Sequence, residues 1–297
     1  MSNFTLQWSI EDADHGKLVR DFLKERGISK RALTDIKFSG GRISINGEEV
    51  TVRRPLNTGD LLKVDFPIEV KSESMAGEDI PLNIVYEDDT LLVINKPAGM
   101  SSIPSREHPT GSLANAIIGY YEHINLIATV HIVTRLDRDT SGLVLIAKHR
   151  HIHHLLSNQQ KEGKIKRVYE AIAKGTFLDR LGTIEKPIGR KKESIIEREV
   201  QEGGQYACTH YEVIKQFPAF AHVKLKLETG RTHQIRVHLS SLGHPLLGDD
   251  LYGGDLSEIG RQALHCCKIQ FIHPILREKF QFEVPLPKDM NQLLANV

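Results

Sequence analysis

The feature that most constrains this chain is a six-residue apolar run, Gly-Leu-Val-Leu-Ile-Ala at 142–147, which follows directly on its densest polar stretch, 134–141 (Thr-Arg-Leu-Asp-Arg-Asp-Thr-Ser). Six residues are far short of the ~20 that a membrane helix needs. The run therefore reads as a strand buried in a soluble core. Polar residues at the mouth of a buried strand are where sites are built. With 297 residues, at ~150 residues per domain, about two domains are expected.

Charge excludes one simple reading. Lys plus Arg is 39 and Asp plus Glu is 38, a net of +1, so the chain as a whole is no polycation. Any argument for nucleic acid must come from local clusters. Three cysteines (Cys208, Cys266, Cys267) without framework spacing read as reduced thiols. The first residues have no basic region followed by an apolar core, so no secretory leader is expected. A cytoplasmic location, no membrane partner and a monomer are the corresponding expectations.

The pattern divides the chain into 1–70, a polar linker at 71–82, and 83–297. In the first part Leu18, Val19, Phe22 and Leu23 recur at helical spacing. Gly27 reads as a C-cap and Ser29 as the N-cap of a second helix carrying Ala32, Leu33 and Ile36. Residues 42–47 alternate and end in Asn46-Gly47, a strong hairpin signal. A closing strand is expected at 61–66, giving the order helix, helix, hairpin, strand. From Lys17 to Arg42 there are eight basic residues against three acidic, net +5. This unit resembles the S4 RNA-binding module. The resemblance implies that Lys30, Arg31, Lys37 and Arg42 meet phosphates; without it the same charges would be a solvated face.

In the large part, strands are expected at 91–95, 143–147, 167–173, 210–214 and 223–227, and helices at 112–121, 151–160 and across 232–241. Strands and helices mix without a regular βαβ beat. The fold class is therefore α+β, a mixed or antiparallel sheet with flanking helices.

Two stretches could carry chemistry. Asp137 and Asp139 stand among Arg135 and Arg138. Neighbouring cations favour an ionised carboxylate, which is a nucleophile, general base or metal ligand. A turn held by Asp and Thr side chains is the equal alternative. The second stretch, 227–238, turns at Gly230 and opens a helix, with Arg231 placed to hold a carboxylate or phosphate or to cap the helix in a salt bridge. No metal is expected: the histidines at 149–154 lack an acidic or cysteine partner, His265-Cys266-Cys267 lacks CxxC spacing, and 233–238 reads HQIRVH, not HExxH. With no phosphate-binding glycine motif, no nucleotide cofactor is expected either. A further basic cluster, net +5, runs from Lys148 to Arg167.

Taken in order, 87–100, Arg135-Leu136-Asp137 with Thr140-Ser141-Gly142, 167–171, 186–190, 209–213, 229–238, 263–265 and 271–274 resemble the large-subunit-type (RluA-like) pseudouridine synthases, which act on uridines of ribosomal and transfer RNA. The resemblance implies an isomerase without metal or cofactor. It implies Asp137 as nucleophile, Arg231 as its ion-pair partner, Tyr169 stacked on or touching the uracil and helping to remove the C5 proton, Ile235 lining the pocket, and Arg135 filling space or gripping the backbone. One departure is Thr134, where the family usually has His. Two rival readings remain: a non-catalytic RNA-binding ribosome-assembly factor with a retained synthase domain, and a carboxylate-dependent hydrolase of sugars or nucleosides.

Overall fold

The computed structural model describes residues 4–69, 75–105 and 108–295. The first unit contains β1 (Thr5–Ser9), α1 (Val19–Glu25), α2 (Lys30–Phe38), β2 (Arg42–Ile45), β3 (Glu48–Glu49) and β4 (Leu61–Asp65). Its antiparallel sheet has the order β1-β4-β2-β3. Val19, Phe22 and Leu23 of α1 and Ile36 of α2 are fully buried against it. Each such side chain contributes roughly 1.5–3 kcal/mol of burial. Ser29 caps α2 by accepting from the Ala32 N–H at 3.1 Å. Asn46 and Gly47 both have positive φ, as a two-residue hairpin requires. Strand β1 adds an element to the expected order.

The large part contains β5 (Ile84–Glu87), β6 (Leu91–Lys96), α3 (Leu113–His123), β7 (His131–Ile132), β8 (Ser141–Ala147), α4 (Arg150–Lys161), β9 (Lys166–Lys174), β10 (Leu181–Glu185), β11 (Ile188–Arg190) and β12 (Arg198–Val200). It continues with β13 (Cys208–Gln216), β14 (Phe220–Leu227), α5 (Gln234–Ser240), β15 (Leu264–Ile272), β16 (Lys279–Glu283) and α6 (Lys288–Ala295). The main sheet runs β10-β13-β14-β9-β15-β8-β6-β5, with β16 on β15 and β7 on β8. Every named pairing in it is antiparallel except β15 with β8. The α+β class holds. All seven residues of β8 are buried, as the apolar run implied. Gly142 sits at the parallel junction with φ +116, and a side chain there would run into the Cys266 backbone.

The expected linker behaves differently. Residues 71–74 lie outside the described residues. Residues 75–82 are held to α3: the Ala76 carbonyl accepts from Asn115 Nδ2 at 2.9 Å, and the Glu78 N–H donates to the Asn115 carbonyl at 3.0 Å. The two parts also share a packed joint. Phe4 stacks on His149 and Phe66 on His151, with ring centroids 4.4 and 5.1 Å apart. The Glu69 carboxylate accepts from the Arg150 N–H (2.6 Å) and the Thr129 hydroxyl (2.7 Å), and pairs with His131 Nε2 (2.6 Å). Among the described residues, no helix is long and apolar enough to cross a membrane.

Candidate active site

The polar stretch 134–140 forms the loop between β7 and β8. It is braced from below at several points. Ser102 Oγ donates to the Leu136 carbonyl (2.7 Å) and accepts from the Leu136 N–H (3.1 Å). Buried Lys96 donates to the carbonyls of Pro97 (2.8 Å), Met100 (2.7 Å) and Arg138 (3.1 Å). Three acceptors match the three hydrogens of an ammonium. Burial pushes the Lys96 pKa down to about 7, against the pull of Asp139 and Asp137. Thr134, the departure from the family pattern, is buried and accepts from the Leu145 N–H at 3.0 Å. It is a brace between loop and strand.

This loop delivers Asp137 to a cavity of about 460 Å³. Arg135, Tyr169, Arg231 and Ile235 line the same cavity, together with Arg138, Arg167, His233 and Arg236. Asp139 does not share it; it faces a neighbouring cleft with Arg261 and Asp289. The two aspartates therefore do not flank one substrate, as the hydrolase reading would need.

One expectation is corrected by the geometry. Arg231 does not pair with Asp137. It is exposed on the rim, and its Nε donates to the Tyr206 carbonyl at 2.9 Å. Arg236 stands in its place. Its Nη1 lies 3.3 Å from Asp137 Oδ2, while Nε and Nη2 grip fully buried Asp249 at 2.8 and 2.7 Å. The Tyr252 ring lies 4.8 Å beneath the guanidinium. Burial works against this cation, but Asp249 and then Asp137 outweigh it and push its pKa above the ordinary value. Arg236 thus stays charged and fixed, with one edge free for the nucleophile candidate.

Tyr169 stands on β9, buried, with the Arg167 guanidinium 5.9 Å above its ring. Burial pushes its phenol well above the ordinary value. The same burial favours the neutral hydroxyl over the phenolate. Ile235 is buried in the first turn of α5. That helix starts later than expected, because His233 adopts a left-handed conformation (φ 57, ψ 19).

The N-terminal basic residues lie apart from the cavity. Lys30, Arg31 and Lys37 project from α2, exposed and without an ion pair among the described residues. Lys37 covers the exposed Phe38 ring at 4.7 Å. Arg42 is instead engaged in its own hairpin, on the Gly47 carbonyl at 3.0 Å and beside Glu49 at 3.7 Å. Elsewhere Cys208 and His210 of β13 and Glu228, just past the end of β14, bring donor atoms within 4.8 Å of one another. His210 and Glu228 already pair at 2.7 Å.

A family model described as RNA pseudouridylate synthase matches residues 90–241, which span this loop, β9 and α5. The chain belongs to the RNA pseudouridine synthase family. The synthase is 56% identical to "Uncharacterized RNA pseudouridine synthase YjbO" of Bacillus subtilis, over 93% of this chain and 98% of that one. It is 39% identical to "Ribosomal large subunit pseudouridine synthase D" of Pseudomonas aeruginosa, over 86% and 83%. The solved structure of Human RNA Pseudouridylate Synthase Domain Containing 1 shares its fold, with a TM-score of 0.58 and 24% identity over 74% of this chain and 96% of that one. Membership makes the synthase an isomerase acting on RNA. Sequence reasoning placed Asp137, Tyr169 and Ile235 in one cavity but missed Arg236. The signal was its position next to Ile235, five residues beyond Arg231 and inside the helix rather than in the turn before it.

Proposed function

We propose that this chain converts uridine to pseudouridine in structured ribosomal RNA, with Asp137 as the nucleophile. The observation that carries this is Asp137 Oδ2 held at 3.3 Å by a guanidinium that buried Asp249 fixes on its other edge. A preorganised cation holds the carboxylate aimed without reorganisation during the reaction. The target uridine leaves its stack to enter the cavity, as enzymes acting on bases require. Ile235 and Tyr169 then flank the base; the N1–C1′ bond breaks, a C5–C1′ bond replaces it, and the C5 hydrogen leaves as a proton while N1 takes one up, so the product keeps the mass of the substrate. Arg135, Arg138, Arg167 and Arg231 ring the cavity with positive charge suited to the phosphates of the flipped strand. Lys30, Arg31 and Lys37 on exposed α2 act as a separate, sequence-neutral anchor of S4 type. Relatives named ribosomal large subunit pseudouridine synthase D, 37–40% identical, support ribosomal RNA as the substrate. Purified protein mixed with ribosomal RNA should convert uridine to an isomer of equal mass and release neither free base nor sugar. Tight binding without any isomer would instead support a non-catalytic assembly factor.

A further inference from the structure

The His233 ring is clamped between a phenol and the nucleophile candidate. Its Nδ1 lies 2.7 Å from the Tyr252 hydroxyl, and its Nε2 lies 3.9 Å from Asp137 Oδ2. The Tyr252 oxygen also accepts from the Arg198 backbone N–H at 2.9 Å. A phenol has one hydrogen to donate. Among the described residues, His233 Nδ1 is the acceptor within its reach. Nδ1 is therefore the accepting nitrogen, and Nε2 carries the hydrogen of the neutral ring toward Asp137. The side chain is only 12% exposed. Its backbone is held at φ 57, a conformation that a non-glycine residue keeps only where its surroundings over-determine it.

We propose that His233 is a positioning residue for the isomerisation: a neutral Nε2–H donor, locked in that tautomer by Tyr252, that steers Asp137 Oδ2 and leaves Oδ1 for the substrate. This rests on Asp137 being the nucleophile. An approach of about 1 Å on substrate binding closes the gap to a hydrogen bond. No proton changes hands at His233. The groups around it favour the neutral ring on balance: burial, Arg236 and Arg198 oppose protonation, and Asp137 and Asp249 favour it.

Nitrogen NMR of histidine-labelled protein at pH 7.5 tests the tautomer directly. The signal missing from His233→Gln should be a neutral ring protonated at Nε2, and Tyr252→Phe should release it into a tautomer mixture. An Nδ1–H ring or an imidazolium overturns the proposal. Single-turnover rates supply the second readout. His233→Gly suits the left-handed backbone, which offsets part of the lost Tyr252 contact; in protein that still unfolds cooperatively, its rate should drop about tenfold at unchanged RNA affinity. His233→Gln keeps an N–H and should recover most of that rate. Equal losses in the two variants would contradict the donor role. Failure of the Asp137 reading is separable: Asp137→Asn would keep turnover while the tautomer stayed as described.

Discussion

Asp137 and Glu69 are both carboxylates held by basic partners inside the fold, yet they serve opposite ends. The Glu69 side chain is 6% exposed, and both its oxygens are taken, one by the Arg150 N–H and the other by Thr129 and His131. The Asp137 side chain is 28% exposed and opens into a cavity. Its Oδ2 leans on Arg236, and its Oδ1 has no hydrogen-bond partner among the described residues. A fully used anion makes a joint. An anion held at one oxygen and open at the other is equipped for chemistry. The same contrast separates the two arginines of the second signature, since Arg236 is locked on three atoms and Arg231 lies on the rim.

The largest expected effect lies at the open carboxylate. Asp137→Asn should slow single turnover by roughly 10⁴-fold or more with RNA affinity within a few-fold of wild type. Near-normal turnover would break the contrast by making Asp137 as structural as Glu69. Next comes Arg236→Lys, which cannot hold Asp249 bidentately and reach Asp137 as well. It should cost about 100-fold in rate, whereas Arg231→Met should cost less than tenfold and act on RNA affinity. The reverse ranking would restore Arg231 as the partner. Replacing Lys30, Arg31 and Lys37 together should flatten the salt dependence of binding by roughly 0.7–0.9 log units per lost phosphate contact, with turnover at saturating RNA unchanged. An unaltered slope would reduce α2 to a solvated face.

The smallest effect concerns the joint. Glu69→Gln should lower unfolding free energy by about 1–3 kcal/mol and leave turnover of folded protein intact. Its acid dependence has a definite sign. Burial opposes the Glu69 charge, but His131, the Arg150 N–H and Thr129 hold its pKa down to about 2. Its stabilisation is present above the ordinary carboxylate value and is lost as pH falls toward 2. Burial pushes His149 down to about 4 and His151 to about 3. The unfolded chain gains protons at these positions below about 6.5, while the folded chain does not. Stability therefore declines from pH 6.5 toward 4. Denaturant midpoints that are flat across that window would show that the joint is not where acid acts.

Local signals explain what was legible. The Ser29 cap, the Asn46-Gly47 turn and the apolar run of β8 depend on neighbours in sequence, and each appears where expected. What escaped depends on distance or phase. Strand β1 pairs with β4 some sixty residues away (Thr5 with Asp65), and nothing local announces that. Strand β15 carries a register shift between His265 and Lys268, which breaks the period-two alternation that would have marked it. The choice of Arg231 over Arg236 failed for a related reason. The left-handed His233 resets the start of α5 to Gln234, so the inward-facing arginine lies in the first turn of the helix, six residues beyond the glycine that marks the bend. Asp249, which fixes it, is thirteen residues further on.

The most direct measurement of the central claim, that Arg236 acts through Asp137, is a double-mutant cycle on single-turnover rates, pairing Asp137→Glu with Arg236→Lys and, separately, with Arg231→Met. Residues that work as a unit are non-additive. Adding Arg236→Lys to Asp137→Glu should therefore cost far less than it costs alone, while Arg231→Met should cost the same in both backgrounds. Additive losses for Arg236 would contradict the account.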